Sequence, residues 1–262
     1  MNELKQAFEN GKALIAFLTA GDPSIEDSVR YVKVMEEAGA DIIEIGVPFS
    51  DPVADGPVIM EADVRALAHH IHLPQALDEA RAIRKASSIP LVFLTYYNPV
   101  FSYGAERFFR ECAAIGVSGV IIPDLPLEEQ GEVRPHADRF GVSLIQLIAP
   151  TSRERVQAIA RAASGFVYLV SSMGVTGMRD GFSGGVEEMA AAVREVTDVP
   201  CAVGFGIHTP AQARQMAALA DGVITGSGVV DLIGKHGASA DEALSAYIRG
   251  LKDAVRDLPP RL

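Results

Sequence analysis

Tryptophan is absent from this sequence, and cysteine is nearly so, with Cys112 and Cys201 alone. The two cysteines stand far apart and in no ligand-spaced cluster. That excludes a zinc signature and a disulfide framework, and points to buried free thiols in a reducing compartment. Positive charge is scarce as well: 23 Lys and Arg face 34 Asp and Glu, for a net charge of −11. This balance argues against a nucleic-acid binder, which needs a basic face, and against a polybasic membrane patch. No window holds about 18 uninterrupted apolar residues, so no transmembrane helix is expected. The opening stretch, MNELKQAFENGKALIAF, reads as a short polar helix and then an apolar run. It lacks the charged start and cleavage site of a signal peptide, so the expected compartment is the cytoplasm. Gly-x-Ser-x-Gly elbows, P-loops and dinucleotide-binding fingerprints are missing too.

What is present is apolar and repetitive. The chain is 48% hydrophobic and 22% charged, enough to bury a large core. Eight short apolar runs recur, at residues 13–19, 42–47, 91–95, 119–122, 143–148, 166–170, 201–204 and 222–225. Most are rich in Val, Ile and Leu without strict alternation, which suits parallel strands buried on both faces. Helical spacing fills the gaps, at residues 24–38, 58–70, 74–85, 105–115, 127–140, 152–163, 186–196, 209–219 and 240–257. Several helices reach the next strand through a similar phrase: Ala38-Gly39-Ala40-Asp41, Ile115-Gly116-Val117-Ser118 and Leu219-Ala220-Asp221-Gly222. A glycine there can close the helix in the left-handed conformation. Eight units of about 33 residues predict a closed (β/α)8 TIM barrel of the α/β class. It would have an N-terminal helix and extra helices after strands 2 and 8. A doubly wound open sheet is the alternative. No linker-like segment divides the chain, so residues 1–262 are expected to form one domain.

In such a barrel the site lies where strands end. Glu44 sits inside an apolar run, where a carboxylate is costly unless paired or functional. Asp55 follows in a loop stiffened by Pro48, Pro52 and Pro57. Two carboxylates in different environments can divide acid and base work. Equally, Glu44 could pair with a buried Lys or Arg, and Asp55 could cap the next helix. Asp51 reads as a loop or surface residue. After the sixth run come five glycines within residues 171–185, a composition that suits either a lid with amides free for an anion or a plain flexible loop. Gly204-Phe205-Gly206-Ile207 and Gly226-Ser227-Gly228 follow the last two runs. There, loops and a short helix of residues 227–232 could cradle a phosphate. None of the six histidines falls at an expected strand end beside a carboxylate pair. His69, His70 and His72 cluster near a helix end, without a convincing metal-site pattern.

Taken together, several stretches resemble the tryptophan synthase α subunit family over almost the whole length. They are Leu18-Thr19-Ala20-Gly21-Asp22-Pro23, the segment from Glu44 to Pro57, Tyr97-Asn98-Pro99, Ile122-Pro123-Asp124-Leu125-Pro126, Gly174-Val175-Thr176-Gly177 and Gly204-Phe205-Gly206-Ile207. The resemblance implies a lyase that cleaves indole-3-glycerol phosphate to indole and glyceraldehyde 3-phosphate in tryptophan biosynthesis. It implies Glu44 as general acid–base and Asp55 as the partner of the indole N–H, with no metal or organic cofactor. Phe17, Leu94, Ile121, Tyr168, Phe205 and Ile224 match the indole pocket. Gly177, Gly206, Gly226 and Ser227 match the phosphate site, and Thr176 matches the lid threonine. A β subunit is the implied partner in an α2β2 heterotetramer, facing the loop of Asp51 and the Asn98-Pro99 region. A free-standing lyase and a non-catalytic, ligand-binding activator are the alternatives. Met60 stands where the family has Gln, and Ala68-His69-His70-Ile71 where a Gly-containing turn is common. Met173 and Met178 flank the lid motif with bulkier side chains than the pattern has.

Overall fold

Burial along the strands alternates between two separate apolar clusters. On the first strand Leu14, Ala16 and Leu18 join the cluster shared with the surrounding helices. Ala13 and Ile15 join a second cluster with Ile42, Val92, Ile121, Ile145, Tyr168, Ala202 and Ile224. Side chains alternate with period two, so the second cluster is the interior of a barrel and the first is its outer jacket. Both faces are apolar, which is why the runs show no polar alternation.

The computed structural model describes residues 3–9, 11–171, 185–204 and 206–259. The strands are β1 Ala13–Thr19, β2 Ile42–Gly46, β3 Leu91–Leu94, β4 Val117–Ile121, β5 Ser143–Ile148, β6 Val167–Val170, β7 Cys201–Gly204 and β8 Gly222–Thr225. They close in sequence order into one parallel barrel, with β8 paired to β1. The fold is therefore the expected TIM barrel and not an open sheet.

The helices are α1 Glu3–Gln6, α2 Ile25–Ala38, α3 Pro57–Ala68, α4 Leu73–Ala86, α5 Tyr97–Tyr103, α6 Ala105–Ile115, α7 Arg134–Phe140, α8 Arg153–Arg161, α9 Val186–Arg194, α10 Pro210–Ala217, α11 Ser227–His236 and α12 Asp241–Arg256. Extra helices do follow β2 and β8. The N-terminal helix is a single turn. Its Leu4 is fully buried and closes the floor of the barrel, where Gly119 and Gly165 leave it room.

Local signals explain several boundaries. Ser24 caps α2 by accepting from the Asp27 backbone N–H, and Gly39 ends that helix in the left-handed region at φ 110°. Gly116 ends α6 in the same way. The third such joint differs: α10 stops at Ala217 with a right-handed cap, and Gly222 lies inside β8. At Gly222 an added Cβ would meet the Ala13 carbonyl oxygen and Phe8, so this glycine serves packing rather than capping.

The segment 127–140 is not one helix. A 3₁₀ turn covers Leu127–Glu132 and α7 begins at Arg134. Pro135 lacks an N–H and its ring would strike the carbonyl four residues back, so a continuous helix cannot form. An additional helix, α5, follows β3. Its Pro99 falls in the first turn, where no intrahelical donor is needed. The helix opening at Ser227 runs on to His236, four residues beyond the expected end.

Candidate active site

Glu44 occupies an inward position of β2, between Phe17 on β1 and Val92 on β3 in the strand register. Its side chain is buried, with 1% exposure. Neither open alternative for the acid pair is realised. Glu44 has no salt-bridge partner among the described residues, and its Oε2 has no hydrogen-bond partner there. The α3 N-cap is Gly56, with no side-chain cap bond, so Asp55 does not cap that helix.

An unpaired buried carboxyl resists ionisation. Burial pushes Glu44 up to about 8, and the charge of nearby Asp55 adds to the push. Asp55 is raised chiefly by burial, and its hydrogen bond from Tyr96 opposes the rise. The two acids therefore stand in different environments. One is apolar and unbonded. The other accepts a proton donor.

Tyr96 was not among the candidates read from sequence. Its hydroxyl donates to Asp55 Oδ2 at 2.8 Å and accepts from the Ala54 backbone N–H at 3.0 Å. Its ring stacks on Phe49, with centroids 5.2 Å apart. One side chain at the end of β3 thus clamps the loop after β2 at three points. A tyrosine directly after an apolar run was the available signal. Asp63 was missed as well. It is buried on α3 between Ala62 and Ala66. Burial, then the charges of Asp55 and Asp22, push it up to about 8. Its helical spacing from those alanines marked the inner stripe.

Two glycines shape the mouth of the barrel. A Cβ on Gly46 would lie 2.4 Å from the Phe17 ring, and one on Gly204 would lie 2.2 Å from the Tyr168 hydroxyl. Both aromatic rings cross the strand ends only because those positions are bare. Phe17 packs with Ala62 and Val230, against which Leu94 also rests. Ile121, Tyr168 and Ile224 belong to the interior cluster.

Above them opens a cavity of about 100 Å³ lined by Asp55, Tyr168, Gly206, Ile224, Gly226 and Ser227, among others. The structure therefore brings together six of the candidate residues. Glu44 lies behind this wall, close enough to Asp55 for their charges to interact. Thr176, Gly177 and Phe205 lie outside the described residues, as do Met173 and Met178. Asp51 is exposed, as expected. His208, set aside in the sequence, lines the same cavity as Asp55. It stands beyond the end of β7 and shares the cavity with Asp55 but not with Glu44, so no histidine sits at a strand end beside the acid pair among the described residues. Among the described residues no cluster of His, Cys, Asp and Glu could hold a metal ion.

A buried neutral acid, a second hydrogen-bonded acid, an apolar slot and a glycine-lined opening suit acid–base chemistry on a molecule with an apolar and an anionic end. The profile of the tryptophan synthase alpha chain matches residues 2–256. The tryptophan synthase alpha chain of Lactiplantibacillus plantarum is 50% identical, over 97% of this chain and 97% of that relative. That of Lacticaseibacillus casei is 48% identical, over 97% and 96%. Among solved structures, the tryptophan synthase subunit alpha of Legionella pneumophila superposes with a TM-score of 0.87 at 34% identity, covering 98% of this chain and 100% of that one. A Mycobacterium tuberculosis tryptophan synthase chain superposes with a TM-score of 0.87 at 38% identity, covering 97% and 98%. With the barrel and near-complete coverage in agreement, this chain belongs to the tryptophan synthase alpha chain family.

Proposed function

We propose that this chain cleaves indole-3-glycerol phosphate to indole and glyceraldehyde 3-phosphate, with Glu44 and Asp55 as its catalytic residues. The observation that carries the assignment of roles is the burial of Glu44 inside the barrel, with no partner for its Oε2 among the described residues. A carboxyl held up to about 8 still carries its proton at neutral pH and can give it to indole C3. The ring then becomes an electron sink. As the bond from C3 to the glycerol carbon breaks, its electrons return to the ring. The glycerol hydroxyl becomes the aldehyde and loses its proton to the Glu44 carboxylate, so the acid ends as it began. Asp55 accepts from the indole N–H and stabilises the positive charge that forms there. Tyr96 holds Asp55 in place.

Phe17, Leu94, Ile121, Tyr168 and Ile224 are assigned to the indole end, and with them Phe205. Gly206, Gly226 and Ser227, with Gly177, are assigned to the phosphate, and Thr176 to closure over Asp55. Ser227 opens α11, whose N-terminal amides favour an anion. Residues 1–262 are taken to act as one domain. The test is Glu44→Gln. Indole release should fall by orders of magnitude while a phosphate ligand still binds. Full activity in that variant would overturn the mechanism.

The proposed partner is a β subunit in an α2β2 assembly. Exposed Phe101 and Val53 support it, at 65% and 83% exposure. So does the apolar hollow of about 390 Å³ lined by Pro48, Phe49, Pro99 and Tyr103 beside them. Size-exclusion chromatography with a β subunit, alongside turnover, tests this. Equal turnover and no complex would favour a free-standing lyase. Buried Cys112 and Cys201 support placement in the cytoplasm. No described helix is long and apolar enough to cross a membrane.

A further inference from the structure

The phosphate end of the cavity poses an electrostatic problem. Its assigned contacts Gly206, Gly226 and Ser227 are neutral, and Asp55, assigned to the indole N–H, lines the same small cavity. A phosphomonoester carries close to two negative charges near neutral pH. A carboxylate and a dianion sharing a cavity of about 100 Å³ repel each other. The helix N-terminus of α11 offsets this with only a partial charge. Among the described lining residues, His208 alone can become a cation.

His208 is fixed through its backbone and lines the cavity as an exposed residue. Its N–H donates to Gln212 Oε1 at 3.0 Å, which ties the residue to the start of α10. Gly206, two positions earlier, has φ 77°, a left-handed turn that brings the chain back over the strand end. Residue 208 itself is exposed, so the ring is open to an incoming ligand. The polar and titratable groups that line the same cavity are Asp55 from the loop after β2, Tyr168 from β6, and Ser227 from α11.

We propose that His208 is the charged phosphate contact of this site, its imidazolium pairing with the substrate's phosphate and making affinity depend on its proton. This rests on the assignment of the phosphate end above. Histidine changes charge between about pH 5 and 8. A bound dianion favours the charged ring, so binding draws a proton onto His208. Affinity is then highest where the ring is already charged and the phosphate is still dianionic. It falls as the pH rises through the titration of the ring.

Two measurements test the inference. The first is the NMR titration of the His208 ring in the full chain, with its signal assigned by its absence in His208→Gln. Inorganic phosphate is the probe. The midpoint should move to higher pH when phosphate is added. The second is steady-state cleavage of indole-3-glycerol phosphate by the chain and by His208→Gln, which keeps a donor but no charge. KM should rise about 5- to 20-fold, as expected for loss of a charge-assisted hydrogen bond, with kcat within about twofold. The increase of KM between pH 6 and 8 should flatten in the variant. An unmoved midpoint, or an unchanged KM with the same pH profile, overturns the proposal while the parent chain still binds phosphate and turns over. A parent chain that neither binds phosphate nor turns over removes the underlying assignment, and this one with it.

Discussion

Glu44 is strained by its surroundings, and the strain has a sign. Its folded-state value lies near 8 against an ordinary 4.5. The folded chain therefore holds the proton more tightly than the unfolded one. The associated stability is fully present below about pH 4.5 and is lost as the pH rises through about 8. Replacing Glu44 with Gln removes this loss. Cleavage should drop about 10²- to 10⁴-fold, while thermal melts should show the variant gaining stability on the parent from pH 5 to pH 8, by about 1–3 kcal/mol at the upper end. A variant less stable at pH 8 than the parent would contradict the buried, uncharged acid. Tyr96→Phe tests the other carboxyl. It removes the donor to Asp55 and the acceptor for Ala54. Steady-state assays should find kcat/KM about tenfold lower, in line with one charge-assisted bond. His70 is the one non-glycine residue with positive φ among those described, at 60°. It falls in the turn where the family pattern favours glycine. His70→Gly should raise stability in a denaturant melt by about 0.5–1 kcal/mol, by relieving the Cβ.

At the level of elements, the site is built from strand ends that carry nothing at the right places. Gly46 on β2 and Gly204 on β7 leave space for rings from other strands. Gly204→Ala would drive a methyl into Tyr168. Overpacking of this kind costs about 1–3 kcal/mol. Tyr168 can relax only into the cavity it lines, so a rise in KM should accompany the lower melting temperature. The α3 helix links the two acidic loops. Arg65 on α3 donates from Nε and one terminal nitrogen to the two oxygens of Asp22 after β1, at 2.9 and 2.7 Å. Asp63 on the same helix holds its proton chiefly through burial, and the charges of Asp55 and Asp22 add to the effect. The mouth of the barrel is thus acidic on the side of β1 and β2, and glycine-rich on the side of β7 and β8.

For the molecule as a whole, the net charge of −11 is compatible with an anionic substrate because the assigned cradle relies on backbone amides, a helix end and one histidine. The absence of tryptophan has a practical use. Phe101→Trp would place a single indole on the exposed surface beside the hollow of Pro48 and Pro99. Addition of a β subunit should shift its emission to the blue relative to the sum of the separate spectra. No shift would place the partner on another face.

Most of the barrel was legible in the sequence. Eight apolar runs without alternation suit strands buried on both sides, and glycines at Gly39 and Gly116 marked the helix ends. Glu44 and Asp55 stood out too, because a carboxylate inside an apolar run must be either paired or functional. Spacing did not separate an unpaired Glu44 from a salt-bridged one; the structure did, since among the described residues its Oε2 has no partner. Nor did spacing assign roles to Tyr96, Asp63 and His208. Position after an apolar run or on an inner helical stripe marks the first two as near the barrel, but each acquires its role from residues brought near by barrel closure: Asp55 for the first two, and the opening beside Asp55 for the third. Local propensity and period are properties of neighbouring residues, and they determined the elements. Proton affinity depends on the charges and solvent within a few ångströms, whatever their distance along the chain, and only the tertiary structure decided those.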